Sequence, residues 1–395
     1  MKVAFILMQF PSPTETFASN DITMLNKLGV DISVFSMKPN HKNHLEMLID
    51  RKLESLNISS SNFKHIFFGV FLMLLNPLKT IDLLGWIIRT EKRSVLELLK
   101  CLLLVPSSIA IHQRIVKNNP DIVHLFWGHY PSIVGYLVKR YNKSIKLSTF
   151  LGAYDLCLSL DISKFILKRS DFIFTHSFSN ILQIVKLGIN KDKIEIIHRG
   201  VDTNKINEVV SEVKSIKGKI ISAGKLTSEK NFDLSIKFLK KLVDRGGNFY
   251  LDIVGSGPEL SKLKKLTDDL LLNERVKFYS HMTQDRLFTK MAESQFFIMT
   301  SSKQSERLPN VIKEAMYCGC VCVSLRTQGL DELITHKVNG FIFDEIDLDL
   351  EDFFLHSSGS KLKGISSNAK RTINEQFQLK KSMLKYKEKW ERIKC

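Results

Sequence analysis

Short apolar runs alternate with longer stretches of helical spacing along almost all of this 395-residue chain, and that alternation restricts the fold more than any other feature. Residues 3–8, 31–37, 122–126, 145–151, 172–175 and 194–197 read as buried strands, with helical stretches at 14–28, 130–141 and 178–187 between them. Thr14 or Thr16 is placed to cap the first helix and Gly29 to stop it. Strands joined through helices pair in parallel, because only a crossover of that length returns the chain to the same end of the sheet. The pattern restarts at 219–223, with strands at 249–254, 276–279, 296–299, 321–324 and 340–343 and helices at 233–243, 258–271 and 285–292. The reading is α/β, with two doubly wound Rossmann-like domains; a chain of this length also exceeds what one core usually fills. The expected domains are 1–200 and 201–375, with 376–395 forming a helix that can pack back on the first.

Open α/β sheets take ligands outside the carboxyl ends of their strands, which singles out certain loops. In the first domain these are the loop containing Thr14 and Glu15 and the strand ends that carry His124, His129, Tyr154 and Asp155. Each of these can line a cleft or be a satisfied buried polar group. Thr14, Glu15, His129 and Asp155 are the candidates for lining such a cleft.

Residues 62–112 interrupt the alternation and are apolar nearly throughout, yet Pro77, Lys79, Asp82, Arg89 and Lys100 keep any run short of a spanning helix. Two readings fit. One is a pair of helices dipping into a membrane interface, with Phe71, Leu72 and Trp86 inserted and Lys79, Arg89, Lys92 and Arg93 beside lipid headgroups. The other is a buried helical insertion. The net charge of +17, spread over both halves, favours anionic partners: nucleotide diphosphates or acidic lipid. Nucleic acid is disfavoured, because no recognition motif accompanies the charge. Cys318, Cys320 and Cys322 alternate too closely for a zinc motif and read as a turn entering a buried strand. Residues 1–10 read as a first strand, not a signal peptide.

Residues 300–324 form a strand–loop–helix unit in which Pro309 stands at the expected first helical position. Glu306 in the loop and Glu314 in the helix flank a helix N-terminus, which suits a phosphate, while carboxylates suit sugar hydroxyls. An ordinary surface ion-pair helix fits equally well. Lys225 and Lys230 follow the strand at 219–223, where two cations can hold a diphosphate. Gly255 sits in Gly-Ser-Gly-Pro, an incomplete dinucleotide fingerprint that permits close backbone approach. Asp347 and Asp349 lie in an acidic run and read as a solvated face, so no metal site is assigned.

Taken in order, SAGKLTSEKNF, IVGSGPEL, SSKQSERLPNVIKEAMYCGCVCVS and GLDELITHKVNGF resemble the donor domain of the large retaining glycosyltransferase family with the GT-B fold. FPSPTETF, DIVHLFWG and the segment from Ser170 to Asp202 resemble its capsular and exopolysaccharide branch more loosely. The resemblance implies two facing domains with a cleft between them, and retaining, metal-independent transfer from a nucleotide sugar without further cofactor. It implies a lipid-linked or polysaccharide acceptor at the cytoplasmic face of the membrane. Carried over, it makes Lys225 and Lys230 the diphosphate pair and Glu314 the ribose ligand. Glu306 contacts the donor sugar, and Gly224, Gly255, Arg307, Leu308, Pro309 and Asn310 complete the donor site. Lys225, Lys230 and Glu306 are the catalytic set. Three positions depart from the family pattern: Lys225 replaces an arginine, Arg307 a glycine, and Leu151 a histidine. A nucleotide-sugar epimerase on the same architecture and a non-catalytic nucleotide-sugar binding protein are the alternatives.

Overall fold

The computed structural model describes residues 1–13, 15–303 and 305–392. The chain divides into two compact units, residues 1–198 with 380–395, and residues 199–379.

In the first unit seven parallel strands lie in the order β3-β2-β1-β4-β5-β6-β7. They are β1 (Lys2–Leu7), β2 (Asp31–Ser36), β3 (Asn57–Ser60), β4 (Ile122–Leu125), β5 (Lys146–Leu151), β6 (Phe172–Thr175) and β7 (Ile194–Ile196). Helices α1 (Thr16–Lys27) and α2 (His44–Asp50) connect the first three. Because strand order reverses between β1 and β4, the switch point of the sheet lies there. Thr14, expected as cap or cleft residue, is outside the described residues; α1 starts from Glu15, whose side chain does not cap it.

The insertion is four helices, not a pair: α3 (Phe63–Leu75), α4 (Pro77–Thr90), α5 (Val95–Leu103) and α6 (Val105–Asn118). Then α7 (Ser132–Tyr141), α8 (Ala153–Leu158), α9 (Asp161–Leu167) and α10 (Ile181–Lys186) complete the connections up to β7. Close packing explains the apolar composition in part. Gly69 on α3 leaves no room for a side chain, as a Cβ there would stand 2.1 Å from the Pro106 carbonyl oxygen on α6. Leu72 and Trp86, expected in a membrane interface, are buried instead, and the Trp86 indole stacks on the Tyr136 ring of α7 at 4.1 Å and 9°. Lys79 also turns inward: its Nζ lies 2.7 Å from His112 Nδ1 on α6, and His112 Nε2 lies 2.7 Å from Asn142 Oδ1 at the end of α7. Glu91 Oε2 accepts the backbone N–H groups of Asp161 and Ile162, satisfying two of the free donors at the start of α9.

Other apolar side chains of the insertion face outward. On α3 these are Phe63, Phe67, Phe68, Phe71 and Leu74, with Leu74 75% exposed, and on α5 they are Val95, Leu96, Leu99 and Leu103. Leu78, at the start of α4, is 84% exposed. Among the described residues no single helix is long and apolar enough to cross a membrane.

The second unit has six parallel strands in the order β10-β9-β8-β11-β12-β13. They are β8 (Ile216–Ala223), β9 (Tyr250–Val254), β10 (Val276–Tyr279), β11 (Ser294–Met299), β12 (Val321–Leu325) and β13 (Phe341–Phe343). The helices are α11 (Thr203–Val210), α12 (Phe232–Asp244), α13 (Leu260–Asp269), α14 (Gln284–Glu293), α15 (Asn310–Cys318), α16 (Leu348–His356) and α17 (Gly359–Gln376). Its switch point lies between β8 and β11. Apolar cores cover both faces of the sheet, one centred on Phe297, Ile312 and Met316 and the other on Phe238, Phe296 and Phe354.

Residues 380–392 belong to the first unit, and α18 (Leu379–Glu391) supplies all of them but the last. Trp390 is among the largest fully buried side chains, set edge-on against Phe5, His124 and Phe174, and its Nε1 donates to Ser148 Oγ on β5 at 3.0 Å. His124, expected among the cleft candidates, is part of this core and shares the same Ser148 hydroxyl at 2.8 Å.

Candidate active site

The loops after β8 and β11 flank the switch point of the second unit and are stitched together by polar contacts. Asn231 adopts a left-handed conformation (φ 49°), and its Nδ2 donates to Thr300 O at 3.2 Å and Ser302 Oγ at 2.9 Å. Thr300 Oγ1 in turn donates to Asn231 O at 2.7 Å. On this frame Lys230 Nζ contacts both carboxylate oxygens of Glu306, at 2.6 and 2.7 Å. Two of the predicted catalytic residues therefore meet directly. Both side chains are mostly shielded, so the pair is stronger than one on an open surface. Lys225, on the loop after β8, is exposed.

Gly224 and Gly255 meet as well, for a reason the sequence did not reveal. A Cβ on Gly255 would lie 1.9 Å from the Gly224 carbonyl oxygen, so the glycine lets the loops after β8 and β9 pack on one another. The close approach read into Gly-Ser-Gly-Pro is thus at least in part protein against protein.

Pro309 precedes α15 as its cap, one residue earlier than expected, and Asn310 begins the helix. Leu308 is buried in the core beneath it. Arg307, expected beside a ligand, has its side chain inside the protein, only 3% exposed. Lys313, six residues on, was not anticipated: fully buried, it donates to Arg199 O at 2.7 Å and to Asn310 Oδ1 at 3.0 Å, fixing the first turn of α15. A lysine at an apolar position of a helix is the only sequence signal for it. Glu314 keeps part of its surface open, although protein surrounds its carboxylate; Gln284 Nε2 reaches Oε1 only weakly, at 3.4 Å. Burial pushes its pKa up to about 7, against the opposing pull of Lys313, Gln284 and Lys205.

The three cysteines after α15 begin are buried free thiols, their pKa values raised by burial, and Cys320 Sγ donates to Met291 O at 3.0 Å. Asp347 caps α16 through Leu350 N. Among the described residues no group of three or more His, Cys, Asp or Glu side chains could hold a metal ion.

A second cluster occupies the switch point of the first unit. Glu15, after β1, accepts a 3.1 Å hydrogen bond from Trp127 Nε1, after β4. His129 Nδ1 lies 2.9 Å from Asp155 Oδ1, and Asp155 Oδ2 accepts Gly152 N at 2.9 Å. Leu151 is buried; a Cβ on Gly128 would strike its side chain at 2.4 Å, so the loop after β4 packs tightly on the end of β5 there. From the insertion, Glu97 on α5 accepts the Tyr130 hydroxyl; burial, and after it this hydrogen bond, raises the pKa of that phenol. Trp127, Tyr130 and Glu97 were not among the predicted residues.

Residues 204–350 match the model of glycosyl transferases group 1. The amylovoran biosynthesis glycosyltransferase AmsK of Erwinia amylovora is 24% identical over 376 residues, 88% of each chain. An uncharacterized glycosyltransferase of Haemophilus influenzae is 25% identical over 98% of this chain and 99% of its own. Among solved structures, Anabaena Alr3699/HepE in complex with UDP-glucose superposes with a TM-score of 0.71 at 16% identity, covering 99% of this chain and 100% of that one. The group 1 domain, the full-length relatives and the two parallel sheets together make this chain a glycosyltransferase of the GT-B fold, with two Rossmann-like domains.

Proposed function

We propose that the protein moves a sugar from a nucleotide-diphosphate sugar to a lipid-linked or surface-polysaccharide acceptor at the cytoplasmic face of the membrane. The observation that carries the donor half is the Lys230–Glu306 contact at the switch point between β8 and β11. A cation and a carboxylate thus stand where such sheets hold ligands, which supports this reading. In this reading Lys225 and Lys230 neutralise the departing diphosphate, with backbone groups of residues 307–310 beside it. Glu306 contacts the donor sugar, Glu314 takes the ribose hydroxyls, and Gly224 and Gly255 shape the floor. Electrostatic stabilisation of the leaving group by fixed cations replaces a divalent metal. The acceptor attacks from the face that the leaving group vacates, so configuration is retained. HepE was solved with UDP-glucose, and AmsK is named for amylovoran biosynthesis; both support this assignment by analogy.

The acceptor half rests on the first unit. Glu15, His129 and Asp155 line its switch point, and α5, which holds Tyr130 through Glu97, turns four apolar side chains outward. A lipid-linked glycan has the matching chemistry, a polar end and an apolar one. The outward Phe and Leu side chains of α3, with Lys64, Lys92 and Lys100 exposed nearby in sequence, suit an anionic bilayer surface.

The test is incubation of purified protein with a panel of UDP-, GDP- and ADP-sugars and membrane lipid extract, following nucleoside diphosphate release and sugar incorporation. Transfer with a retained anomeric configuration, undiminished by chelator, is expected. Epimerised donor without acceptor would establish the epimerase, and binding without turnover a binding protein.

A further inference from the structure

The start of α15, in the second unit, presents hydrogen-bond donors and little else. Pro309, its cap, has no side-chain acceptor to offer, and no acidic residue stands in the first turn. Asn310 opens the helix, and its Oδ1 is taken by Lys313 Nζ at 3.0 Å. Helical side chains lean toward the N-terminus, which lets a lysine one turn in reach back to the first residue. An ammonium donates and never accepts, so the amide is set with its oxygen toward the lysine and Nδ2, with two N–H donors, directed away from it. The same ammonium donates to Arg199 O at 2.7 Å and lies 5.4 Å from the centroid of the Phe377 ring, so its place is fixed on three sides. Lys313 is fully buried, whereas Asn310 keeps part of its surface open.

An ammonium is costly in that place. Burial strips its water, and the helix dipole turns its positive end toward the same point. Glu306, in the loop before the helix, already has both oxygens on Lys230. A buried cation, an amide turned by it and the free N–H groups of a first turn match one ligand chemistry, an anion that accepts several hydrogen bonds at once.

We propose that Lys313 is a positioning residue for the donor's diphosphate, setting the Asn310 amide so that Nδ2 donates to a phosphate oxygen. This rests on the reading that residues 307–310 stand beside the diphosphate. Lys313 itself touches no ligand. The bound anion in turn stabilises the buried ammonium, so each supports the other across the amide.

The experiment is calorimetry on the full chain with UDP, GDP and ADP, and displacement titration with uridine, guanosine and adenosine, carried forward with the base that the wild type binds. Lys313→Met keeps an unbranched stem and loses the ammonium. It should weaken nucleoside diphosphate binding about tenfold, the low end for a hydrogen bond to a charged group, and leave the nucleoside's affinity unchanged. Asn310→Ala should do the same, and Asn310→Asp, which cannot donate, should bind no better than Asn310→Ala. In the Asn310→Ala background Lys313→Met should cost no more than about twofold further, because the amide it positions is gone. A lysine that only braced the helix against residue 199 would cost the same in both backgrounds, and that additivity would overturn the proposal. Equal losses for nucleoside and diphosphate would overturn it too. If Lys313→Met lost its unfolding transition, the Asn310 variants decide, and diphosphate binding by Asn310→Ala equal to that of wild type overturns the proposal. Failure of the wild type to bind any of the three diphosphates or to transfer sugar would instead overturn the functional reading itself.

Discussion

At the scale of single residues, the Lys230–Glu306 contact sets up a competition. Both Glu306 oxygens lie on the Lys230 ammonium, one of the two cations proposed to hold the diphosphate, so in that reading carboxylate and diphosphate vie for it. Glu306→Gln should therefore bind free nucleoside diphosphate several-fold more tightly while transferring sugar at least tenfold more slowly, whereas Lys230→Ala should lose both; calorimetry and a transfer assay read the two quantities. Glu314 carries a second prediction. Its pKa is raised by burial to about 7 from 4.5, so the folded state holds a proton that the unfolded state has released across that window. Its contribution to stability is complete below pH 4.5 and is lost as pH rises through about 7. Glu314→Gln, which needs no charge buried, should be more stable than wild type at pH 8 by roughly 1 to 3 kcal/mol and bind the donor more weakly. Denaturant midpoints at pH 5 and pH 8 check the first half, since the variant's advantage should vanish at pH 5.

At the scale of elements, the insertion is pinned to the sheet layer by the chain Lys79–His112–Asn142 linking α4, α6 and the end of α7. Burial, aided by the Lys79 ammonium, pushes the His112 pKa down to about 4 from 6.5. Between those values the unfolded chain binds the extra proton, so stability is present above pH 6.5 and falls as pH drops toward 4, by up to about 3 kcal/mol. His112→Gln should start less stable at pH 7 and lose less between pH 6.5 and 4 by urea titration.

Every strand except β3, and most helices, were legible from the alternation of apolar runs; β3 (Asn57–Ser60) is short and mostly polar, so neither period nor length marked it. The insertion was not, because apolarity cannot tell a helix packed on a neighbour from one facing lipid. Trp86 and Leu72 went inward while Phe71 and Leu74 stayed out. The meeting of the loops after β8 and β11 was legible through Lys230 and Glu306, whose places follow from where strands end. Lys313, Trp127 and Glu97 were hidden, since each acts through a partner far away in sequence that only the packing brings near.

For the whole molecule, the outward apolar side chains of α3 and α5 are the largest departure from an ordinary soluble surface. The protein should co-float with liposomes containing anionic lipid at low salt and detach partly as salt screens the lysines. Replacing Phe71 and Leu74 by Asp should abolish flotation without lowering the unfolding midpoint, because both side chains are exposed. Failure of the wild type to float would remove the membrane from the account.

The first unit is discontinuous: residues 1–198 are completed by 380–392, whose Trp390 fills the space beneath β1, β4 and β6. On a ribosome, its strands emerge first but must wait for the whole of residues 199–379 before that tryptophan arrives, roughly 10 to 40 s at ordinary synthesis rates. The later-made unit can therefore mature before the earlier one. A nascent chain halted just after residue 379 should resist protease in its second unit and be cut in its first, and the apolar helices of the insertion are the surface a chaperone would meet in the interval.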